Sequence, residues 1–232
     1  MKKIKINNEL AYVFAIFLIA FAVALTAAAD LGVSMIVAPA YILSLKFTFL
    51  TFGQWEYVLQ SLLFIAFCII KRKVKLIYFT SFLNCMVYGA VLDFFRKVIP
   101  LFNAEVVPPD TFSLPIKILM MAGGMILTTF SVALFFKAYL YPQVYDFFVK
   151  GVSAHCKIPI GKFKIFYDIS SFALSCILSL VLFGGFKGVG IGTVVMALVN
   201  GLMINFFDRI LTKYVDFVPA FKKLADAFDL DN

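Results

Sequence analysis

Phe21-Ala22-Val23-Ala24-Leu25 recurs as Phe130-Ser131-Val132-Ala133-Leu134, and Ala29 and Leu31 return as Ala138 and Leu140 at the same offset of 109 residues. At offset 112, Gly89-Ala90-Val91-Leu92-Asp93-Phe94-Phe95 runs beside Gly201-Leu202-Met203-Ile204-Asn205-Phe206-Phe207. Each copy holds three hydrophobic segments, an odd number, so in a bilayer the second copy enters from the opposite side. Such an inverted-topology repeat is an architecture favoured by secondary transporters.

Composition places the chain in a membrane. Apolar residues make up 63% and charged residues 15%, with a mean hydropathy of +0.99, against about 25% charged in soluble domains. A spanning helix needs roughly 20 mostly apolar residues. Six segments approach that length: Leu10–Ala29, Gly53–Ile70, Leu76–Phe95, Ile118–Phe136, Ile165–Phe186 and Gly188–Phe207. The expected fold is therefore all-α and polytopic, with six transmembrane helices in two inverted three-helix repeats.

Positive charge sets the expected orientation, because Lys and Arg near short loops stay on the cytoplasmic side. With the N-terminus inside, that side holds 16 of the 21 Lys and Arg residues, leaving Lys46, Arg96, Lys97, Lys117 and Lys187 outside. Both termini are expected in the cytoplasm. The net charge of +8 follows from this bias and from contact with anionic lipid, and gives no reason to invoke nucleic acid. Leu10–Ala29 is too long for a signal-peptide core and is expected to be retained.

Two half-length segments stand at matched positions. Leu31–Leu45 carries Gly32 and Pro39 and is followed by Lys46; Leu140–Ser153 carries Pro142 and Gly151. Short apolar segments of this kind are re-entrant or interfacial more often than spanning. Gly or Pro breaks at corresponding places in two halves point to a transporter's binding site, while an amphipathic surface helix is the competing outcome. The chain divides into a first repeat over 1–102, an outer connection over 103–115 containing the extended Pro108-Pro109-Asp110, a second repeat over 116–209, and a cytoplasmic tail over 210–232.

The chain resembles the YczE/YitT-type integral membrane proteins of bacteria, whose biochemical role is largely unassigned. Ala29-Asp30-Leu31-Gly32-Val33-Ser34 carries the resemblance, with Gly184-Gly185 and Gly188-Val189-Gly190-Ile191-Gly192-Thr193 leading into Ala197 and Gly201. It implies a six-helix protein of the bacterial cytoplasmic membrane with transport as an expected activity, and supplies no substrate.

Ionisable groups at membrane depth cost a few to more than ten kcal/mol and are functional candidates by default. Asp168 falls one turn into the fifth segment and aligns at offset 108 with Gln60; it is a candidate for binding or proton coupling, or a carboxylate neutralised by Lys164 or Lys162. Asp93 aligns with Asn205 and is expected to form a salt bridge with Arg96 or Lys97. Asp30 and Ser34 are expected as caps of the half-helix that starts near Ser34, or as part of a site for an ion at that helix end. The expected solute site thus draws on Asp168, Gln60, Asp30, Ser34, Asn200 and Asn205.

The glycines from Gly188 to Gly192 lack the strand and Lys of a phosphate-binding loop; close helix approach is the membrane alternative. Ala20, Ala24 and Ala28 form a small-residue stripe, suited to packing inside the fold or to a homo-oligomer or partner subunit. His155 beside Cys156 offers too few ligands for a metal, and Cys68, Cys85 and Cys176 lie in apolar segments. No cofactor and no enzyme chemistry is expected. Trp55, Tyr57 and their aromatic neighbours fit an interfacial belt or a cation-binding wall. The functions left are a secondary transporter or facilitator of a small molecule or ion with a midplane site, a substrate-binding subunit of an energy-coupled vitamin transporter, or a non-transporting membrane assembly factor.

Overall fold

A computed structural model describes residues 3–72, 75, 78–222, 225 and 228. Lys2, Lys73 and Lys223 of the charge balance, and Leu76 at the start of the third segment, lie outside them. Among the described residues eight helices follow in order: α1 (Asn8–Ala29), α2 (Ala38–Lys46), α3 (Phe52–Lys71), α4 (Phe79–Val98), α5 (Leu114–Lys137), α6 (Val144–Cys156), α7 (Ile160–Phe183) and α8 (Ile191–Tyr214). Short strands β1 (Ile4–Asn7) and β2 (Val215–Val218) pair in parallel.

Among the described residues five helices are long and apolar enough to cross a membrane: α1, α3, α5, α7 and α8. The sixth expected span, α4, is 20 residues long, but Thr80, Ser81, Asn84, Asp93, Arg96 and Lys97 dilute its apolar character.

Local sequence explains the helix ends. Thr51 and Gln54 form a capping box at the start of α3, satisfying two otherwise orphaned amides. Pro39 and Pro115 sit in the first turns of α2 and α5, where the missing N–H costs nothing. Gly184 closes α7 in the left-handed region at φ 69°, which glycine adopts without a Cβ penalty. Around Pro108 the outer connection is less extended than expected, since Pro109–Thr111 form a 3-10 turn.

Packing orders the helices. α1 has its most extensive contact with α5, and the two run antiparallel: Tyr12 meets Phe135 at one end, while Gly124 abuts Ala22 and Thr26. α1 packs parallel to α4, with Asn84 on Tyr12 and Phe95 on Phe21. α5 packs parallel to α8, with Met121 on Gly192 and Phe130 on Phe207. Both short helices touch α3 as well as α7. Ala20 and Ala24 are fully buried in the chain's main core, with Ala28 partly buried against it, so the stripe is used inside the fold.

The α1–α2 and α7–α8 connections are joined through backbone. Val33 N–H donates to the Gly188 carbonyl (3.2 Å) and Gly192 N–H to that of Leu31 (2.8 Å). A Cβ on Gly190 would lie 2.5 Å from the Leu31 oxygen, so this approach depends on glycine.

Candidate functional site

The polar groups that converge do so around α6. Past the end of α5, the segment from Ala138 to Gln143 runs inward, held by the Tyr12 hydroxyl donating to the Tyr141 carbonyl (2.6 Å). α6 then starts beside the middle of α3, where Val144 N–H donates to Gln60 Oε1 (3.2 Å). From there it returns toward the end of α3, and Gly151 packs against Phe67.

Gln60 and Glu56 share one face of α3 through i,i+4 spacing. Gln60 Nε2 donates to Glu56 Oε2 (3.0 Å), and the Tyr145 hydroxyl of α6 donates to the same oxygen (2.9 Å). Both α3 side chains are fully buried. No ion pair joins Glu56 to a Lys or Arg among the described residues, and its Oε1 has no hydrogen-bond partner there.

One residue further along α6 the polarity faces α7. Lys164 forms ion pairs with Asp146 (3.4 Å) and Asp168 (3.2 Å). A cleft of about 750 Å³ opens beside this cluster, with Asp146, Lys164, Lys71 and Lys150 on its wall together with aromatic residues such as Tyr141 and Phe147. Tyr145, only 3% exposed, stands between the cleft side and Glu56.

The six residues expected to form the site do not come together. Gln60 and Asp168 flank α6 and belong to the two polar clusters. Asp30 and Ser34 lie at the far ends of α1 and α7, about 20 Å along α7 from Asp168. Neither caps α2: that helix begins after Val37 with no side-chain cap. Asp30 instead closes α1 in the left-handed conformation, and Ser34 contributes its carbonyl, which accepts from Val37 and Ala38 N–H. Three residues of turn separate Ser34 from the first helical position, too far for its hydroxyl to serve the first turn. On α8, Asn200 is partly buried with an unpartnered Oδ1, and Asn205 is exposed.

Asp93 also departs from expectation. Rather than pairing with Arg96 or Lys97, its carboxylate accepts from Gly53 N–H (2.9 Å) and the Thr51 hydroxyl, because the free amides at the start of α3 attract an anion. Arg96 stacks over the Phe52 ring at 5.4 Å.

Glu56 is the residue that sequence reasoning missed. It is the one charged side chain between Gly53 and Ile70, and its neighbours Trp55 and Tyr57 suggested an interfacial belt. Its spacing to Gln60 was the available signal. The 108-residue offset that takes Gln60 to Asp168 also takes Glu56 to Lys164, so the two i,i+4 pairs recur at one spacing in the sequence.

No group of three or more His, Cys, Asp or Glu side chains able to hold a metal occurs among the described residues. The four cysteines are free. The chain belongs to a family of unknown function (DUF6198), which matches it over residues 6–209. No curated protein and no solved structure matches it.

Proposed function

We propose that this member of the family is a secondary transporter or facilitator of a small solute, whose path runs between α3 and α7. The observation that carries this is the placement of both short helices against that same pair of long helices. Helix ends and irregular backbone at membrane depth are tolerated only inside protein or beside a cavity, and α6 starts at mid-helix depth next to a cleft lined by Asp146 and Lys164. In this proposal α6 is re-entrant and the solute binds along its first two turns, in reach of Lys164.

The halves are, on this proposal, an inverted repeat with α4 as the sixth span. Exchanging them turns the α1–α4 contact into α5–α8, and α2–α7 into α6–α3, while α1–α5 maps onto itself. The antiparallel course of α1 and α5 fits the inversion. The kinship to YczE/YitT-type proteins, read from Ala29–Ser34 and Gly184–Thr193, belongs to the same proposal. So does the orientation: the end that carries Lys71, Arg72, Lys137, Lys150 and Arg209 faces the cytoplasm of a bacterial cell, and the cleft opens there.

Liposomes loaded with a small-metabolite extract test the proposal. Wild-type protein is expected to release a defined solute faster than protein-free liposomes, and Lys164→Met to lose most of that excess. Equal release from all three preparations would overturn it.

A further inference from the structure

We propose that Glu56 is the binding site of a small monovalent cation, a proton or a sodium ion, which moves in step with the solute. The coupling rests on the transport reading; the site itself does not.

A carboxyl group removed from water needs a compensating positive charge at contact distance, from the protein or from a bound ion. Among the described residues no Lys or Arg pairs with Glu56. On its own helix Glu56 faces Gln60, a neutral donor. α6 offers the Tyr145 hydroxyl, and the charge of Asp146 is taken up by Lys164, which also holds Asp168. From α4 come Cys85, with Sγ 4.0 Å from the Glu56 carbonyl oxygen, and Tyr88. Asp93 of α4 is spent on Gly53 and Thr51, and Arg96 on the Phe52 ring. Tyr167 of α7 completes the electrostatic surroundings, and the Tyr41 hydroxyl of α2 donates to Ala27 instead. Among the described residues none of these groups forms an ion pair with Glu56, and its hydrogen-bond partners are neutral.

An unpartnered oxygen of Glu56 marks where the cation sits, and the Tyr88 hydroxyl lies within its electrostatic reach. Glu56 Oε1 and the Tyr88 hydroxyl are both buried without a hydrogen-bond partner among the described residues, and Tyr88 is 1% exposed. Buried polar atoms left unpaired in this way are rare and call for a ligand. A proton on Oε1 makes the carboxyl neutral and supplies a donor; a sodium ion gains an oxygen ligand from Glu56. One acid whose described hydrogen-bond partners, Gln60 and Tyr145, are both neutral matches a single charge, not a divalent ion.

The position also links this cation to the solute cleft. Tyr145 holds Glu56 Oε2, and Asp146, the next residue, holds Lys164 on the cleft wall. A shift of α6 that opens or closes the cleft therefore changes the surroundings of Glu56 at the same time.

Infrared difference spectroscopy on the purified protein reads this directly. In sodium-free choline chloride buffer at neutral pH, the carbonyl stretch of a protonated acid is expected; it shifts on deuteration and is lost in Glu56→Gln. Added sodium chloride leaves the band in place if the proton is the natural occupant, and replaces it with carboxylate bands if sodium is. Loss of an ionised carboxylate band in Glu56→Gln under the sodium-free condition would overturn the site. Should that variant not fold, Tyr145→Phe removes one hydrogen bond and is expected to move the same band upward; a band that does not move would equally overturn it. A confirmed site without solute release from loaded liposomes leaves the site standing and removes transport. Solute release that is indifferent to pH and sodium gradients, and unchanged in Glu56→Gln, removes the coupling instead.

Discussion

At Gly32 two constraints coincide. Its φ of +100° lies where L side chains are strained, and an added Cβ would sit 2.6 Å from the Gly190 backbone nitrogen. Strain of about 1–3 kcal/mol plus displacement of the α7–α8 connection gives an expected loss of about 2–4 kcal/mol for Gly32→Ala, read as a lower unfolding temperature in detergent. Gly161→Ala, with open space around the new Cβ, is expected to stay within about 1 kcal/mol of wild type, on the stabilising side. Lys164 gives a second prediction. Its side chain is 33% exposed, so removing it is screened by solvent: Lys164→Met is expected to cost about 1–2 kcal/mol, and Asp168→Asn added to it close to nothing more. A full additional penalty in that double-variant cycle would show that the two do not act as a pair. Residues of this kind differ in how legible they are. Glycine announces its need for space in any helix connection, whereas the burial of Glu56 arises from residues such as Tyr145 and Cys85, distant in sequence, that no local pattern pairs with it.

Helices read well from periodicity and length, and their ends less well. All eight begin within a few residues of a Pro, Ser, Thr, Asn or Gly that the chain displays, but α2 starts at Ala38 beside Pro39, after the Ser34 that cap chemistry favours, because the backbone from Leu31 to Val33 is held out of helix by Gly188 and Gly192. The direction of α6 was likewise beyond periodicity, since its start is fixed by Gln60 across the fold. The α7–α8 connection shows how one side chain organises an element boundary. Ser179 Oγ accepts from Lys187 N–H (2.6 Å) and lies within hydrogen-bond range of the Gly185 and Lys187 carbonyls (2.9 Å each), with its side chain fully buried. Ser179→Ala leaves a backbone donor unpaired, a cost of about 1–3 kcal/mol. Hydrogen exchange of amides between residues 184 and 190 is expected to speed up while that of α1 stays unchanged; equal acceleration in both would mean global destabilisation instead.

At the scale of the molecule, the two terminal segments close one end of the bundle together. β1 pairs with β2, and the Glu9 carboxylate accepts from the backbone N–H groups of Ala220 and Phe221 and from the Tyr139 hydroxyl (2.6 Å). Phe228 packs its ring on those of Tyr139 and Tyr141, 5.6 and 5.1 Å between centroids, and borders the cleft. Nothing in the repeat foretold this clasp, because Ala220, Phe221 and Phe228 belong to the tail beyond the second copy. Its sign with pH follows from Tyr139. Burial first, then the hydrogen bond to Glu9, push this phenol from its usual value near 10 up to about 12. A group held protonated more tightly in the folded protein contributes fully below its unfolded value and loses that contribution as pH rises through the folded one. The clasp is therefore expected to be intact up to about pH 10 and to weaken between about 10 and 12, where ionised Tyr139 loses its donor and faces the Glu9 carboxylate. Tyr139→Phe, which keeps the ring against Phe228 and removes the titration, is expected to be less stable than wild type at neutral pH and to show a flatter loss across that window. Thermal unfolding of both proteins from pH 8 to 12 gives the comparison, and parallel curves would remove Tyr139 from the account of how the termini are held.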